Sequence, residues 1–268
     1  MMFYLTYFFI LFSFAFLPGK YDGKRVIRKQ SLVQSMNADT INWYRPRFPE
    51  REEERLRMVD VYIQNNPYKP IHDIRVLEAM RAVPRHKFVP SQFQDQAYMN
   101  HPLPLSQGQT ISQPFIVAHM TELLQIAAGD KILEIGTGSG YQAAILSELT
   151  PFVYSIEIVD KLGKKAAIIL NDLGYKTISL KIGDGYEGWE EHSPFDGIIV
   201  TCAPEKIPAP LLNQLAAGGR IVIPVGKAGM TQTLVVVEKD LKGKLKKHVQ
   251  YPVVFVPMTG KAEEKIKD

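Results

Sequence analysis

Three carboxylates and a set of glycines stand where a chain could hold a ligand. Glu134, Glu157 and Asp184 fall at or just after the ends of apolar runs, at residues 131–135, 152–157 and 178–182. Gly136, Gly138 and Gly140 follow the first run at alternate positions, with Thr137 and Ser139 between them. Glycine has no Cβ, so it turns tightly and brings bare backbone against a ligand. A carboxylate can accept both hydroxyls of a ribose, a geometry that a neutral side chain matches poorly. Groups of this kind at successive strand ends suit a nucleotide-like cofactor, because open α/β sheets bind ligands outside the carboxyl ends of their strands. Each group alone also has a plainer reading. The glycines could make an ordinary tight turn, Glu157 could be a solvated strand-end acid, and Asp184-Gly185 could be a simple turn. The succession is more specific than any member of it.

The elements that must position these groups are legible as a pattern. Residues 131–135, 152–157, 178–182, 195–200 and 219–224 predict five buried parallel strands. Tyr141-Gln142-Ala143-Ala144-Ile145-Leu146 predicts the opening of a helix straight after the glycines. Residues 233–238 and 253–256 predict two further strands, paired as an antiparallel hairpin at the sheet edge through Lys-Gly turns. Residues 51–100 read as largely helical, with an amphipathic helix over 74–80. The expected architecture is therefore α/β: a Rossmann-like, doubly wound, mostly parallel seven-stranded sheet with a small N-terminal helical subdomain.

The glycine spacing selects the kind of cofactor. The dinucleotide fingerprint G-x-G-x-x-G seats a pyrophosphate on a helix N-terminus, but here Tyr141 stands where its third glycine belongs. The alternate spacing resembles the first motif of class I methyltransferases, which bind S-adenosylmethionine. That ligand has no phosphate and needs close backbone approach instead. Upstream, residues 102–114 are too rich in Pro, Gly, Ser and Gln for a core element and read as a loop entering a helix over about 113–125.

Within that loop, Gly108-Gln109-Thr110-Ile111-Ser112 is similar to the G-Q-T-I-S stretch of the protein-L-isoaspartate O-methyltransferase family. Val83-Pro84-Arg85-His86-Lys87-Phe88-Val89 is similar to its V-P-R-x-x-F-V element. The turn at 134–141, Gly183-Asp184-Gly185 and Pro224-Val225-Gly226 also resemble family motifs, and all of them occur in the family's order across roughly residues 51–262. The resemblance implies methyl transfer from S-adenosyl-L-methionine to the stray carboxylate of L-isoaspartyl residues in damaged proteins. The ester then closes to a succinimide, whose hydrolysis returns some normal aspartate.

The resemblance also implies roles for residues of this chain. Glu134, Gly136, Thr137, Gly138, Ser139, Gly140, Glu157, Asp184, Gly185 and Thr259 would hold the cofactor. Ser112, with Thr110 beside it, would form the catalytic centre. Ile111, Val225 and Gly226 would contact the substrate peptide, the last two through its backbone. No metal is implied, and the histidines show no metal-ligand spacing. The chemistry suits this set. A carboxylate is already ionised near neutral pH, so the reaction needs alignment rather than a base. Ser112 is expected to donate a hydrogen bond to the acceptor carboxylate, or to N-cap the helix entered through Pro114, or both.

Composition excludes several alternatives. The chain has 268 residues and a net charge of +4, with no interleaving of aromatic and basic residues. That argues for a solvated lysine-rich surface and against nucleic-acid binding. Cys202 is the only cysteine, so no internal disulfide forms, and it reads as a small buried residue. Residues 1–17 are almost wholly apolar, with basic residues only after them. This pattern fits a membrane tether that keeps the following chain cytoplasmic; an atypical signal peptide and export are the alternative, and Met36 or Met58 could begin a complete enzyme. Residues 18–50 read as a linker, 51–262 as the methyltransferase domain and 263–268 as a charged tail. The domain is expected to act as a monomer in the cytoplasm on damaged proteins and peptides.

Overall fold

A computed structural model describes residues 43–264. In chain order the described helices are α1 (Glu52–Met58), α2 (Ile74–Ala82), α3 (Pro114–Leu124), α4 (Tyr141–Ser147), α5 (Asp160–Asp172), α6 (Ala209–Asn213) and α7 (Lys261–Glu264). The strands are β1 (Leu103–Pro104), β2 (Thr110–Ile111), β3 (Ile132–Ile135), β4 (Val153–Glu157), β5 (Ile178–Ile182), β6 (Phe195–Val200), β7 (Leu215–Val225), β8 (Gln232–Lys239) and β9 (Leu245–Val253). A seven-stranded sheet runs in the order β5-β4-β3-β6-β7-β8-β9. Strands β3 to β7 pair in parallel, and β8 and β9 join antiparallel at one edge.

Side chains alternate across a strand, and here both faces are apolar. Ile132, Val153, Ile199, Val222 and Val236 enter a core with residues of α2, α3 and α4. Leu133, Ile135, Ile198, Ile221, Ile223 and Val235 enter a second core, closed by Leu211 of α6 and by Met258. Burial on both faces is why these strands read as continuous apolar runs. The chain leaves β3 outward to β4 and β5, then returns to β6 on the other side of β3. The loops after β3 and β6 therefore diverge, and this opens a crevice at the carboxyl edge.

Local signals set the helices. The Asp73 side chain accepts the Arg75 N–H at 3.0 Å and caps α2, which ends before Pro84. Pro114 opens α3, where a missing N–H costs nothing. Residues 51–100 are largely helical, as the periodicity predicts, through α1, a π-turn (Val59–Gln64), α2 and two 3-10 turns.

The structure departs from the expected elements in four places. The last strand is β9 (Leu245–Val253), not 253–256. An edge strand leaves one side to water, so its charged residues hide it from a hydrophobicity reading. The apolar run instead turns in over the sheet end, where Val256 O accepts from Ala203 N–H and Met258 N–H donates to Ala203 O. Residues 102–114 hold the β1–β2 hairpin rather than loop alone. Residues 43–50, placed in the linker, lie against the domain. The Trp43 indole donates to Ser147 O at 2.8 Å, Arg47 pairs with the buried Glu148 at 3.0 Å, and the Phe48 ring lies 6.5 Å from that of Tyr175. Helix α7 likewise runs to Glu264, inside the stretch expected as tail. Residues 1–17 lie outside the described residues, and among those described no helix is long and apolar enough to cross a membrane.

A chain starting at residue 51 should melt below one starting at residue 43. Loss of about 2 kcal/mol of burial and hydrogen bonding corresponds to roughly 4–8 °C in a domain of this size. Equal melting temperatures by calorimetry would show that residues 43–50 contribute nothing to the fold.

Candidate active site

The crevice is built from the ends of β3, β4 and β6. After β3 the chain turns through Gly136, Gly138 and Gly140, whose φ values are 94°, 55° and 87°. Side chains other than glycine rarely adopt this left-handed region. At Gly136 a Cβ would also stand 2.5 Å from Thr201 Oγ1. The Thr201 hydroxyl lies 2.7 Å from Gly136 O and 3.0 Å from Ile135 O, so the loop after β6 holds the start of the turn. The Gly138 N–H donates to Glu157 Oε2 at 2.7 Å, and the Val159 N–H donates to Oε1 at 2.9 Å. A carboxylate has about four acceptor sites, so Glu157 keeps capacity for a ligand while bracing the turn. Gly136, Thr137, Gly138, Ser139, Glu157, Gly185 and Thr259 line one cavity, together with Ile158 and Val159 and residues 255–258.

Glu134 and Asp184 are not brought to that lining. Glu134 shares the β3 face that packs beneath the helices and is 0 % exposed. Ser155 Oγ donates to Glu134 Oε2. Thr137 Oγ1 lies 2.6 Å from Ser155 Oγ. Glu134 thus reaches the cavity only through Ser155 and Thr137. Its Oε1 has no partner. Burial pushes its carboxyl up to about 8, the Ser155 hydrogen bond opposes this, and the Glu157 charge adds to it. Asp184 closes a turn instead: Oδ1 accepts from Tyr186 N–H and Oδ2 from Lys261 N–H, each at 2.9 Å. Gly140, also outside the lining, is the left-handed N-cap of α4. Strand-end position alone did not separate an acid facing the cavity from one facing the core or capping a turn.

The β1–β2 hairpin covers the crevice. Its turn has Gln107 and Gly108 at φ 59° and 69°, and the Gln109 N–H returns to Ser106 O at 3.2 Å. Both central residues are left-handed, as a tight hairpin turn with the native twist requires. Leu105 on this hairpin reaches within 4.0 Å of the position a Gly138 Cβ would take. The hairpin delivers Thr110, Ile111 and Ser112 to the cavity. A second cavity adjoins the first, walled by Pro102, Phe115 and residues 251–256. The two share Thr110, Ser112, Ile116, Thr201, Phe255 and Val256.

Ser112 therefore stands at the junction. Gln113, not Ser112, is the N-cap of α3; its own side chain makes no cap bond, and Asn100 Oδ1 accepts the Phe115 N–H at 3.0 Å instead. The Ser112 hydroxyl makes no hydrogen bond among the described residues. Val225 and Gly226 lie outside both linings; Gly226 N–H donates to Pro204 O. Sequence reasoning missed Thr201, Gln142 and residues 255–258. The position of Thr201 directly after a buried strand was the available signal for it. Cys202 lines the first cavity, but burial pushes its thiol up to about 12, so it stays protonated and is no nucleophile.

Fold and site together define an α/β enzyme of the Rossmann-like class, with one cavity over the strand ends and a second beside it. The family described as Protein-L-isoaspartate(D-aspartate) O-methyltransferase matches residues 58–263. A Protein-L-isoaspartate O-methyltransferase 2 of Polaromonas sp. is 54% identical over 192 residues, 72% of this chain and 91% of that protein. A Protein-L-isoaspartate O-methyltransferase 1 of Nitrosospira multiformis is 52% identical over 211 residues, 79% of this chain and 89% of that one. Among solved structures, a protein-L-isoaspartate O-methyltransferase superposes with a TM-score of 0.70 at 26% identity, over 81% of this chain and 69% of the other. A Plasmodium falciparum protein in complex with S-adenosyl-L-homocysteine shares the fold, with a TM-score of 0.66 at 22% identity over 76% of this chain and 98% of that one. The chain belongs to the protein-L-isoaspartate(D-aspartate) O-methyltransferase family.

The buried Glu134 has a consequence for stability. Its folded-state pKa lies above the ordinary 4.5. Between those values the folded chain keeps a proton that the unfolded chain has lost, so stability falls as pH rises. Glu134→Gln should flatten that decline in thermal melts from about pH 5 to about pH 8. Parallel curves for variant and native chain would mean that Glu134 ionises as freely in the folded state.

Proposed function

We propose that S-adenosylmethionine seats over the glycine turn, that the isoaspartyl peptide seats in the adjoining groove, and that Ser112 aligns its free carboxylate between them. The activity is that of a protein-L-isoaspartate O-methyltransferase acting on damaged proteins. The observation that carries the assignment of roles is the Ser112 hydroxyl, free of internal hydrogen bonds among the described residues and shared by both cavities.

The residues fit the cofactor. Glu157 retains acceptor sites in the cavity, the left-handed turn presents bare backbone, and no lysine or arginine lines the cavity to suit a phosphate. The cofactor supplies a methyl group already activated on a sulfonium. The acceptor carboxylate is ionised near neutral pH, so the chain has no proton to remove from it. Glu157 orients the ribose end and the turn backbone fits close against the ligand. Ser112 donates to one carboxylate oxygen and leaves the other facing the methyl. The hairpin covers the junction against water, and the rate gain is mainly one of alignment. Walls largely of apolar side chains beyond Ser112 suit peptides of varied sequence. The reading also puts the domain in the cytoplasm, where its cofactor is made, and has it act as a monomer.

Paired peptides, one isoaspartyl and one aspartyl, with methyl-labelled S-adenosylmethionine test this directly. Only the isoaspartyl peptide should be labelled. Ser112→Ala should lower kcat by about 10- to 100-fold, as expected for one hydrogen bond to a charged group. It should leave the Kd for S-adenosylhomocysteine nearly unchanged. Labelling of both peptides, or equal loss of rate and cofactor affinity, would refute the assignment.

A further inference from the structure

We propose that Arg85 is the positioning residue of the substrate loop, clamping the Ser112 carbonyl and tying that loop, across the Tyr141 ring, to the helix that leaves the glycine turn. The proposal rests on the role given to Ser112 above and extends it.

Arg85 is 0 % exposed. Its Nη2 donates to Ser112 O at 2.8 Å and its Nε donates to Ala97 O at 2.8 Å. The guanidinium carbon lies 4.9 Å from the centroid of the Tyr141 ring, and Phe88 packs edge-on against the same ring at 5.5 Å. Tyr141 is the first residue of α4, next to Gly140. One planar group thus touches the loop carrying the acceptor-side hydroxyl and the helix that opens from the cofactor turn.

A guanidinium suits this place for reasons a lysine would not meet. Its fork of donors is rigid and reaches two carbonyls at once, and its flat face stacks on an aromatic ring. A buried charge without a carboxylate partner is costly. No carboxylate hydrogen-bonds Arg85 among the described residues, and its Nη1 has no partner. Burial lowers its pKa only to about 10, so it remains a cation at neutral pH. The fold elsewhere uses a buried arginine simply as a staple. Arg55 donates to the carbonyls of Arg81, Glu50 and Phe48, none of which lines either cavity. That contrast supplies the control.

Arg85 does not touch the reacting atoms. It fixes where the Ser112 backbone sits, and hence where the hydroxyl points. A displacement of about 1 Å in such a group is worth up to about 100-fold in rate. The expected signature is a fall in kcat with cofactor affinity preserved, and a loss that vanishes once the hydroxyl it positions is gone.

The test is a double-mutant cycle on the full chain. Arg85→Met, Ser112→Ala and the double variant are compared by kcat on an isoaspartyl peptide, with the Kd for S-adenosylhomocysteine measured by calorimetry. Arg85→Met should lower kcat about tenfold or more, should leave Kd within about twofold, and should cost less than about twofold further in the Ser112→Ala background. Arg85→Lys, which keeps the charge and a donor, should fall between native and Arg85→Met. Arg55→Met should lower the melting temperature with kcat within about twofold. Additive losses in the cycle, or an Arg55→Met loss of rate equal to that of Arg85→Met, would overturn the proposal and reduce Arg85 to a staple. An unchanged kcat in Arg85→Met beside a large Ser112→Ala loss would overturn it while leaving the Ser112 role standing. No loss in Ser112→Ala would remove that role and this proposal together.

Discussion

The carboxylate of Glu157 holds the cofactor side of this molecule together. It accepts the Gly138 N–H from the turn after β3 and the Val159 N–H at the start of α5. Three left-handed glycines in one turn are conformationally loose in an unfolded chain, and something must select the folded path. Glu157 does so from one side and Thr201 from the other, because its hydroxyl meets the carbonyls of Ile135 and Gly136. The turn is thus fixed by the ends of the two strands flanking β3. A site built at the meeting of three strand ends inherits the rigidity of the sheet.

The acceptor side is organised differently. It depends on a short hairpin and the first residues of α3, whose Leu103, Ile111 and Val117 are buried in the core. Its order comes from beneath, through the Arg85 contacts to the carbonyls of Ser112 and Ala97, and from Leu105 resting over the glycine turn. The division fits the chemistry. The cofactor is a fixed small molecule and is met by a rigid turn. On the proposed reading, the substrate is one altered residue in many surroundings, met by the Ser112 hydroxyl beside a broad, largely apolar groove. On that reading the nucleophile arrives ionised and the chain needs no general base, and burial raises the pKa of both Cys202 and Glu134.

Much of this was legible from residues alone. Apolar runs buried on both faces of a sheet announce themselves, so β3 to β8 follow the sequence closely. Gly136, Thr137, Gly138, Ser139, Glu157 and residues 110–112 all line the cavity, while Gly140 opens α4. The failures share one cause, which is that direction is not written locally. Glu134 and Glu157 look alike at the ends of neighbouring strands, yet one faces the core and one the crevice. Asp184 closes a turn with the amides of Tyr186 and Lys261, and Lys261 is distant in sequence. The charged β9 was hidden by its exposure, while residues 253–256, read as a strand, lead from the end of β9 to a single bridge between Pro257 and Ala203 and bring Phe255 and Val256 to the site. Trp43 and Arg47 dock on residues about a hundred positions away, which no local pattern shows.

The central claim is that Ser112 holds the acceptor carboxylate at the junction of the two cavities. A crystal structure with S-adenosylhomocysteine and an isoaspartyl peptide measures this most directly. The peptide's free carboxylate is expected within hydrogen-bond distance of Ser112 Oγ, about 2.5–3.0 Å, with its other oxygen toward the cofactor sulfur. A carboxylate bound away from Ser112, or a nucleoside lying off the Gly136–Gly140 turn, would contradict it.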